Sequence, residues 1–94
     1  MREQPRPDEP RDIRERRLKL RSMRRGIKEM DLILGGFAEQ GLSQLSDADL
    51  ALYDEMLSEN DHDMYAWASG QAKAPDRFAA LMEHVVKNGP ALKR

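Results

Sequence analysis

The sequence predicts an all-α protein, a small single-domain bundle of about five helices. Apolar side chains recur at the three- and four-residue spacing of amphipathic helices, and no segment alternates with the two-residue period of a strand. A chain of 94 residues has room for one domain, and without cysteine its core must be held by packing alone. Charged residues make up 35% of the chain and aromatic residues 5%, so we expect a small core under a highly charged surface.

Three parts are expected along the chain. Residues 1–10 carry three prolines and one apolar side chain, which predicts a disordered N-terminal extension. The helical-bundle domain is predicted over residues 11–90, followed by a C-terminal tail at 91–94. No apolar run approaches the roughly 20 residues that span a bilayer, and no signal peptide is visible. We therefore expect a cytoplasmic protein without direct membrane insertion.

Two helices are predicted in the first half of the domain. The first begins near Asp12, and Gly26 ends or interrupts it. Its apolar seam is expected at Ile13, Leu20, Met23 and Ile27. The second helix ends at Gly41, and its apolar positions are Ile27, Met30, Leu32, Ile33, Leu34 and Phe37. The adjacent glycines Gly35 and Gly36 predict a weak point, a kink or a close helix crossing.

Three more helices are predicted in the second half. Ser46 is expected to cap the third helix, which Asn60 closes. Its apolar residues are Leu45, Ala48, Leu50, Leu52, Tyr53, Met56 and Leu57. Asp61 is expected to cap a short fourth helix that ends at Gly70, and Pro75 marks the first turn of the last helix. The predicted core residues of these last two helices are Trp67, Phe78, Leu81, Met82, Val85 and Val86.

Chemistry typical of a catalytic or metal site is not visible in the sequence. The two histidines, His62 and His84, belong to no ligand motif and are expected at the surface. An acidic cluster is predicted to serve helix capping and solubility. Its members are Asp54, Glu55, Glu59, Asp61 and Asp63. We therefore predict a protein that is not an enzyme, with no catalytic, metal-binding or cofactor-binding residues.

The charge is unevenly distributed. Residues 1–30 carry eleven basic and six acidic side chains, whereas the remaining residues carry five basic and eleven acidic ones, although the net charge is only −1. A basic first third indicates an attachment surface. Nucleic-acid binding through the basic helix at 11–28 is one alternative, against which the slightly acidic whole chain argues. A generic protein-interaction module with an unrelated partner is the other.

The segment from Arg24 to Asp31 is the most informative. It contains Arg25, Gly26 and Glu29 in the pattern Arg-Gly-x-x-Glu. Arginine offers planar donors for a carboxylate or phosphate, glycine removes steric bulk, and glutamate accepts a hydrogen bond, so the three residues could form a compact recognition patch. The alternative is an intrahelical ion pair between Arg25 and Glu29, and the spacing alone does not decide between the two.

In context, this segment resembles the signature of the succinate dehydrogenase flavinylation factors, the bacterial SdhE proteins and their mitochondrial assembly-factor relatives. Arg25, Gly26 and Glu29 match the motif of that family. The similarity extends to three further stretches, Leu52-Tyr53-Asp54, Asp61-x-Asp63-Met64-Tyr65-x-Trp67-Ala68 and Lys73-Ala74-Pro75. The likeness spans about residues 18 to 88.

The resemblance implies a small five-helix assembly factor, or chaperone, rather than an enzyme. Family members bind the flavoprotein subunit of succinate dehydrogenase, and in bacteria also that of fumarate reductase, so either subunit is an expected partner. They promote covalent attachment of FAD to a histidine of that subunit. We accordingly expect a monomer that binds neither FAD stably nor nucleic acid. The partner-binding residues predicted from the resemblance are Arg24, Arg25, Gly26, Glu29 and Asp31.

Overall fold

The computed structural model describes residues 9–23 and 25–88 of the chain. These residues form five α-helices and no strand: α1 (Arg11–Arg21), α2 (Lys28–Gln40), α3 (Asp47–Met56), α4 (Asp61–Ser69) and α5 (Asp76–Asn88). A single 3-10 turn at Leu42–Gln44 precedes α3. The predicted all-α bundle of about five helices is confirmed. The expected tail at 91–94 and most of the expected extension at 1–10 lie outside the described residues, so those two assignments stay predictions.

Helix α2 lies at the centre of the bundle. It contacts α1, α4 and α5, while α5 also packs against α3 and α4. The side chains that meet between the helices form one apolar cluster. Its buried members are Leu18, Met30, Ile33, Leu34, Phe37, Ala38, Leu42, Leu45, Leu50, Tyr53, Met56, Leu57, Met64, Phe78, Leu81, Met82 and Val85. The core face predicted for the last helix is confirmed, with Val86 partly buried at its edge.

The apolar seam predicted for the first helix is wrong at three of its four positions, and of the four only Ile27 is partly buried against the core. Leu20 is 67% exposed, and Ile13 and Met23 are exposed as well, whereas Leu18, which the seam omits, is fully buried. The sequence predicts the wrong face because the inward side of α1 is mostly ionic. Besides Leu18 and Ser22, that side carries three arginines that pair with acidic side chains: Arg14, Arg17 and Arg21.

Gly35, the first of the paired glycines of α2, lies against the end of α1 at ordinary van der Waals distance. The helix runs through Gly35 and Gly36 without interruption, so the pair does not break it. A Cβ on Gly35 would lie 3.8 Å from the carbonyl oxygen of Ser22, at the end of α1. Leu32 does not widen the core face as predicted, because it is 58% exposed on the side of α2 that no other described helix covers.

The helix caps explain two of the chain reversals. The Ser46 hydroxyl accepts the N–H of Asp49 at 3.1 Å, which confirms Ser46 as the cap of α3. The cap of α4 is Asn60 and not Asp61 as predicted, because the Asn60 side chain accepts the N–H of His62 at 2.8 Å. Gly70 ends α4 with φ at 85°, in the left-handed region that glycine favours.

Three rings differ in how far they enter the core. The Trp67 side chain is partly buried and stacks on Phe78, with ring centroids 6.2 Å apart. His62 is exposed as expected. His84 is half-buried and meets the ring of Phe37 edge-on at 5.7 Å, so its expected place at the surface is only partly right.

Candidate functional site

Two carboxylates hold the segment that joins α1 to α2. We call residues 25–27 the Arg-Gly turn. Asp31, in the first turn of α2, accepts the backbone N–H of Arg25 at 2.7 Å. Asp61, the first residue of α4, accepts the backbone N–H of Gly26 at 2.6 Å. Since both bonds go to backbone groups, the turn is fixed relative to two different helices.

The guanidinium of Arg25 points back into the chain. Its Nε and Nη2 lie 3.0 and 2.9 Å from Oδ1 of Asp61. Nη1 donates to the carbonyl oxygen of Arg21 at 2.7 Å, and Nη2 donates to that of Leu57 at 2.8 Å. The planar, five-donor geometry of arginine suits such a multiple contact, and lysine could not reproduce it. Arg25 therefore connects the end of α1, the end of α3 and the start of α4 through hydrogen bonds.

Gly26 and Glu29 are the exposed members of the motif. Gly26 is exposed although its N–H is bonded, and Glu29 projects from the first turn of α2. No described residue forms an ion pair with the Glu29 carboxylate, so the intrahelical pair with Arg25, left open by the sequence, is not formed. Exposed Gly26 thus lies near a carboxylate that none of the described residues engages in an ion pair.

A second carboxylate, that of Asp54 on α3, is buried among arginines of α1. Asp54 is 1% exposed, lies 3.1 Å from Nη2 of Arg17 and also pairs with Arg21. Arg17 binds Glu9 as well, and this hydrogen bond lowers the pKa of the Glu9 carboxyl. The capping and solubility role predicted for the acidic cluster is therefore wrong for Asp54 and Asp61, whose carboxylates join α1 and the Arg-Gly turn to α3 and α4.

Part of the uneven charge of the sequence is neutralised by ion pairs between distant parts of the chain. Arg11 forms an ion pair with Asp47 at 2.9 Å, and the arginines at positions 17, 21 and 25 pair as described above. The basic first third is thus complementary to the acidic α3 and α4, and these arginines are already engaged within the chain. The observation that favoured nucleic-acid binding, a basic helix free to contact phosphates, does not hold for them.

The structure brings three of the five predicted partner-binding residues together. Arg25, Gly26 and Asp31 share one hydrogen-bonded turn, and Glu29 lies beside it. Arg24 lies outside the described residues. The sequence reasoning missed Asp61, which it assigned only to capping. The one signal for it was its place in the second stretch that resembles the family, and spacing along the chain could not show that it meets Gly26.

The described part of the chain offers neither a metal cluster nor a membrane-spanning helix. Residues 9–23 and 25–88 contain no group of three or more histidine, aspartate or glutamate side chains placed to hold a metal ion. In the same residues, every helix is too short or too polar to cross a bilayer. The Arg-Gly turn, fixed by Asp31 and Asp61, forms the candidate site together with Glu29.

Comparison with known proteins gives the same family as the resemblance. The sequence model of the family described as flavinator of succinate dehydrogenase matches residues 16–88. Succinate dehydrogenase assembly factor 2 of Drosophila grimshawi is 36% identical over 95 residues, which cover 95% of this chain and 65% of that protein. The protein of the same name from Saccharomyces cerevisiae, strain S288c, is 42% identical over 77 residues, covering 79% of this chain and 48% of its own length.

A third relative, succinate dehydrogenase assembly factor 2-B of Drosophila mojavensis, is 40% identical over 84 residues, covering 87% of this chain and 54% of its own length. The chain thus spans about half to two thirds of the length of these curated relatives. All three are named mitochondrial, and this contradicts the cytoplasmic location expected from the sequence. The family match over most of the domain confirms the resemblance: the chain belongs to the flavinators of succinate dehydrogenase, a family of assembly factors.

Proposed function

We propose that this chain binds the flavoprotein subunit of succinate dehydrogenase and promotes covalent attachment of FAD to a histidine of that subunit. The flavoprotein subunit of fumarate reductase is a second client with the same chemistry. The proposal combines the family membership with one structural observation. A turn fixed by two carboxylates presents exposed Gly26 and the exposed carboxylate of Glu29 on one side of the bundle.

The exposed pair suits protein recognition. A backbone without a side chain at Gly26 permits close approach of a partner, and Glu29 can accept a hydrogen bond or pair with a partner cation. Arg25 and Asp31 contribute by shaping this surface from within, because Asp31 accepts the N–H of Arg25 and the Arg25 guanidinium donates to the carbonyl oxygen of Arg21. Arg24 completes the predicted set of contact residues.

The proposed role is that of a chaperone which orients the partner and is not itself a catalyst. Docking would hold the subunit in a conformation in which its FAD and its accepting histidine are aligned. Alignment of reacting groups removes several kcal/mol from a barrier, about 7–11 kcal/mol in the most favourable cases. The chemistry would remain that of the partner and its flavin, and this chain would hold no FAD stably after purification.

Co-expression tests the proposal. The flavoprotein subunit is produced with and without this chain, and two results are read: co-purification of the two proteins, and flavin fluorescence of the subunit in a denaturing gel. We expect a complex and a fluorescent subunit only in the presence of the chain. A subunit that carries the same covalent flavin without the chain would refute the proposed function, and fluorescence that follows this chain itself would refute its non-catalytic role.

A further inference from the structure

The carboxylate of Asp61 connects the Arg-Gly turn to the start of α4, a distant part of the sequence. Oδ2 of Asp61 accepts the Gly26 N–H at 2.6 Å, across 35 positions of the chain. Its Oδ1 lies within 3.0 Å of Nε and Nη2 of Arg25. The Asn60 cap sets the backbone just before Asp61. A single side chain therefore binds both the backbone and the arginine of the turn, and it does so from a helix start that is itself held in place.

A side chain at position 26 would displace this carboxylate. A Cβ on Gly26 would lie 2.9 Å from Oδ2 of Asp61, and its other described neighbour within 4 Å is Cγ of the same residue. The backbone itself does not demand glycine here, because Gly70 is the glycine with positive φ among the described residues. Two causes could therefore exclude a side chain at position 26. One is a clash with the Asp61 carboxylate of the same chain, and the other is a clash with the bound partner.

We propose that Asp61 is the positioning residue of the docking surface, and that position 26 is glycine because the Asp61 carboxylate occupies the space of a side chain. The inference rests on the proposed function, since it names the residue that presents the same surface. With Asp61 in place, Gly26 and Glu29 keep one relative position before the partner arrives. A preorganised surface of this kind loses less conformational entropy on binding than a mobile segment does.

Amide hydrogen exchange of the free chain tests the positioning. In Asp61→Ala we expect the Gly26 amide to exchange at least about tenfold faster, because its acceptor is gone and the turn opens locally. Asp63→Ala is the matched control, since Asp63 is also a first-turn acid of α4 but is exposed. It should leave the Gly26 rate unchanged. Equal exchange in all three proteins would overturn the proposal.

The isosteric variant Asp61→Asn keeps the test valid if removal of the whole side chain unfolds the protein. The asparagine keeps the shape and one acceptor oxygen but loses the charge that pairs with Arg25, so an intermediate rise in the Gly26 exchange rate is expected. No rise in a folded Asp61→Asn chain would likewise count against the positioning role.

A double-mutant cycle separates the two causes of the glycine. We expect Gly26→Ala to weaken binding to the purified flavoprotein subunit about tenfold in the unaltered chain, because the turn shifts. In the Asp61→Ala background the space is free, and the same change should weaken binding by less than about twofold further. An equal loss in both backgrounds would show that the partner, and not Asp61, requires glycine at this position.

Failure of this inference can be told apart from failure of the proposed function. If the unaltered chain does not bind the flavoprotein subunit, the proposed function fails. If it binds but Asp61→Ala neither loosens the Gly26 amide nor weakens binding, the inference alone fails. The same four proteins can also be compared by their midpoints of thermal unfolding. This comparison measures the clash between a side chain at position 26 and the Asp61 carboxylate in the absence of a partner.

Discussion

The phenol oxygen of Tyr53 lies 2.7 Å from the hydroxyl oxygen of Ser22, and both residues are fully buried. The Ser22 hydroxyl also lies 2.8 Å from the carbonyl oxygen of Leu18, to which it can donate. Ser22 directly follows α1, and Tyr53 lies in the middle of α3. This contact therefore fixes the chain at the point where it leaves α1 and approaches the Arg-Gly turn.

Burial of Tyr53 makes the stability of the fold sensitive to alkaline pH. Desolvation raises the pKa of Tyr53 from its ordinary value of 10 to about 12. The unfolded chain releases this proton first, so the stabilising contribution is fully present below about pH 10 and is lost as the pH rises towards 12. Urea unfolding across this range should show a falling free energy of unfolding, and the decline should be smaller in Tyr53→Phe. An identical decline in both proteins would contradict this.

Loss of the Asp54 carboxylate should strongly destabilise the fold. Asp54→Ala leaves Arg17 and Arg21 without their shared buried partner, and breaking a buried ion pair on one side costs about 3–5 kcal/mol. Glu59→Ala, which alters an exposed acid, should change the free energy of unfolding by no more than about 0.5 kcal/mol. Chemical denaturation of both variants measures the difference, and equal stabilities would show that Asp54 does not hold α1 in place.

Truncation of two leucines of α1 should destabilise the fold to very different degrees. Leu18 is fully buried and Leu20 is 67% exposed. Leu18→Ala should therefore cost about 2–5 kcal/mol through lost burial and the cavity left behind. Leu20→Ala should change stability by less than about 0.5 kcal/mol. Thermal unfolding of the pair tests which face of α1 packs on the bundle, and a larger loss in Leu20→Ala would support the seam predicted from spacing.

Replacement of Glu29 should weaken partner binding without affecting the fold. The Glu29 carboxylate is exposed and has no ion-pair partner among the described residues, so Glu29→Ala should leave the free energy of unfolding within about 0.5 kcal/mol of that of the unaltered chain. Its affinity for the flavoprotein subunit should fall about tenfold or more. Glu39→Ala, an exposed glutamate on the same helix, is the control and should bind normally. Equal affinity of the two variants would remove Glu29 from the docking surface.

The sequence predicts elements and caps well where the signal is local. The apolar spacing of α5 and the Ser46 cap follow from residues within one or two turns of each other, and both are confirmed. The face of α1 could not be predicted in this way. The inward position of Arg17 and Arg21 is recognisable only when their partner Asp54 on α3 is known, and the pairing of Arg17 with Asp54 joins positions 37 residues apart.

In the candidate site too, local features could be predicted from the sequence and long-range contacts could not. The pattern of Arg25, Gly26 and Glu29 indicates a special turn, because glycine between helix-forming residues does not stabilise a helix. The inward direction of the Arg25 side chain and the contact of Gly26 with Asp61 depend on how α4 packs against that turn. Long-range contacts of this kind leave no periodic trace in the sequence.

The most direct measurement of the central claim is the time course of covalent flavin attachment in a purified mixture. The apo flavoprotein subunit and FAD are incubated alone, with this chain, or with Glu29→Ala, and covalent flavin is followed by fluorescence of the denatured subunit. Our account predicts attachment that is at least about tenfold faster with the unaltered chain than with either comparison. Equal rates in all three mixtures would contradict it.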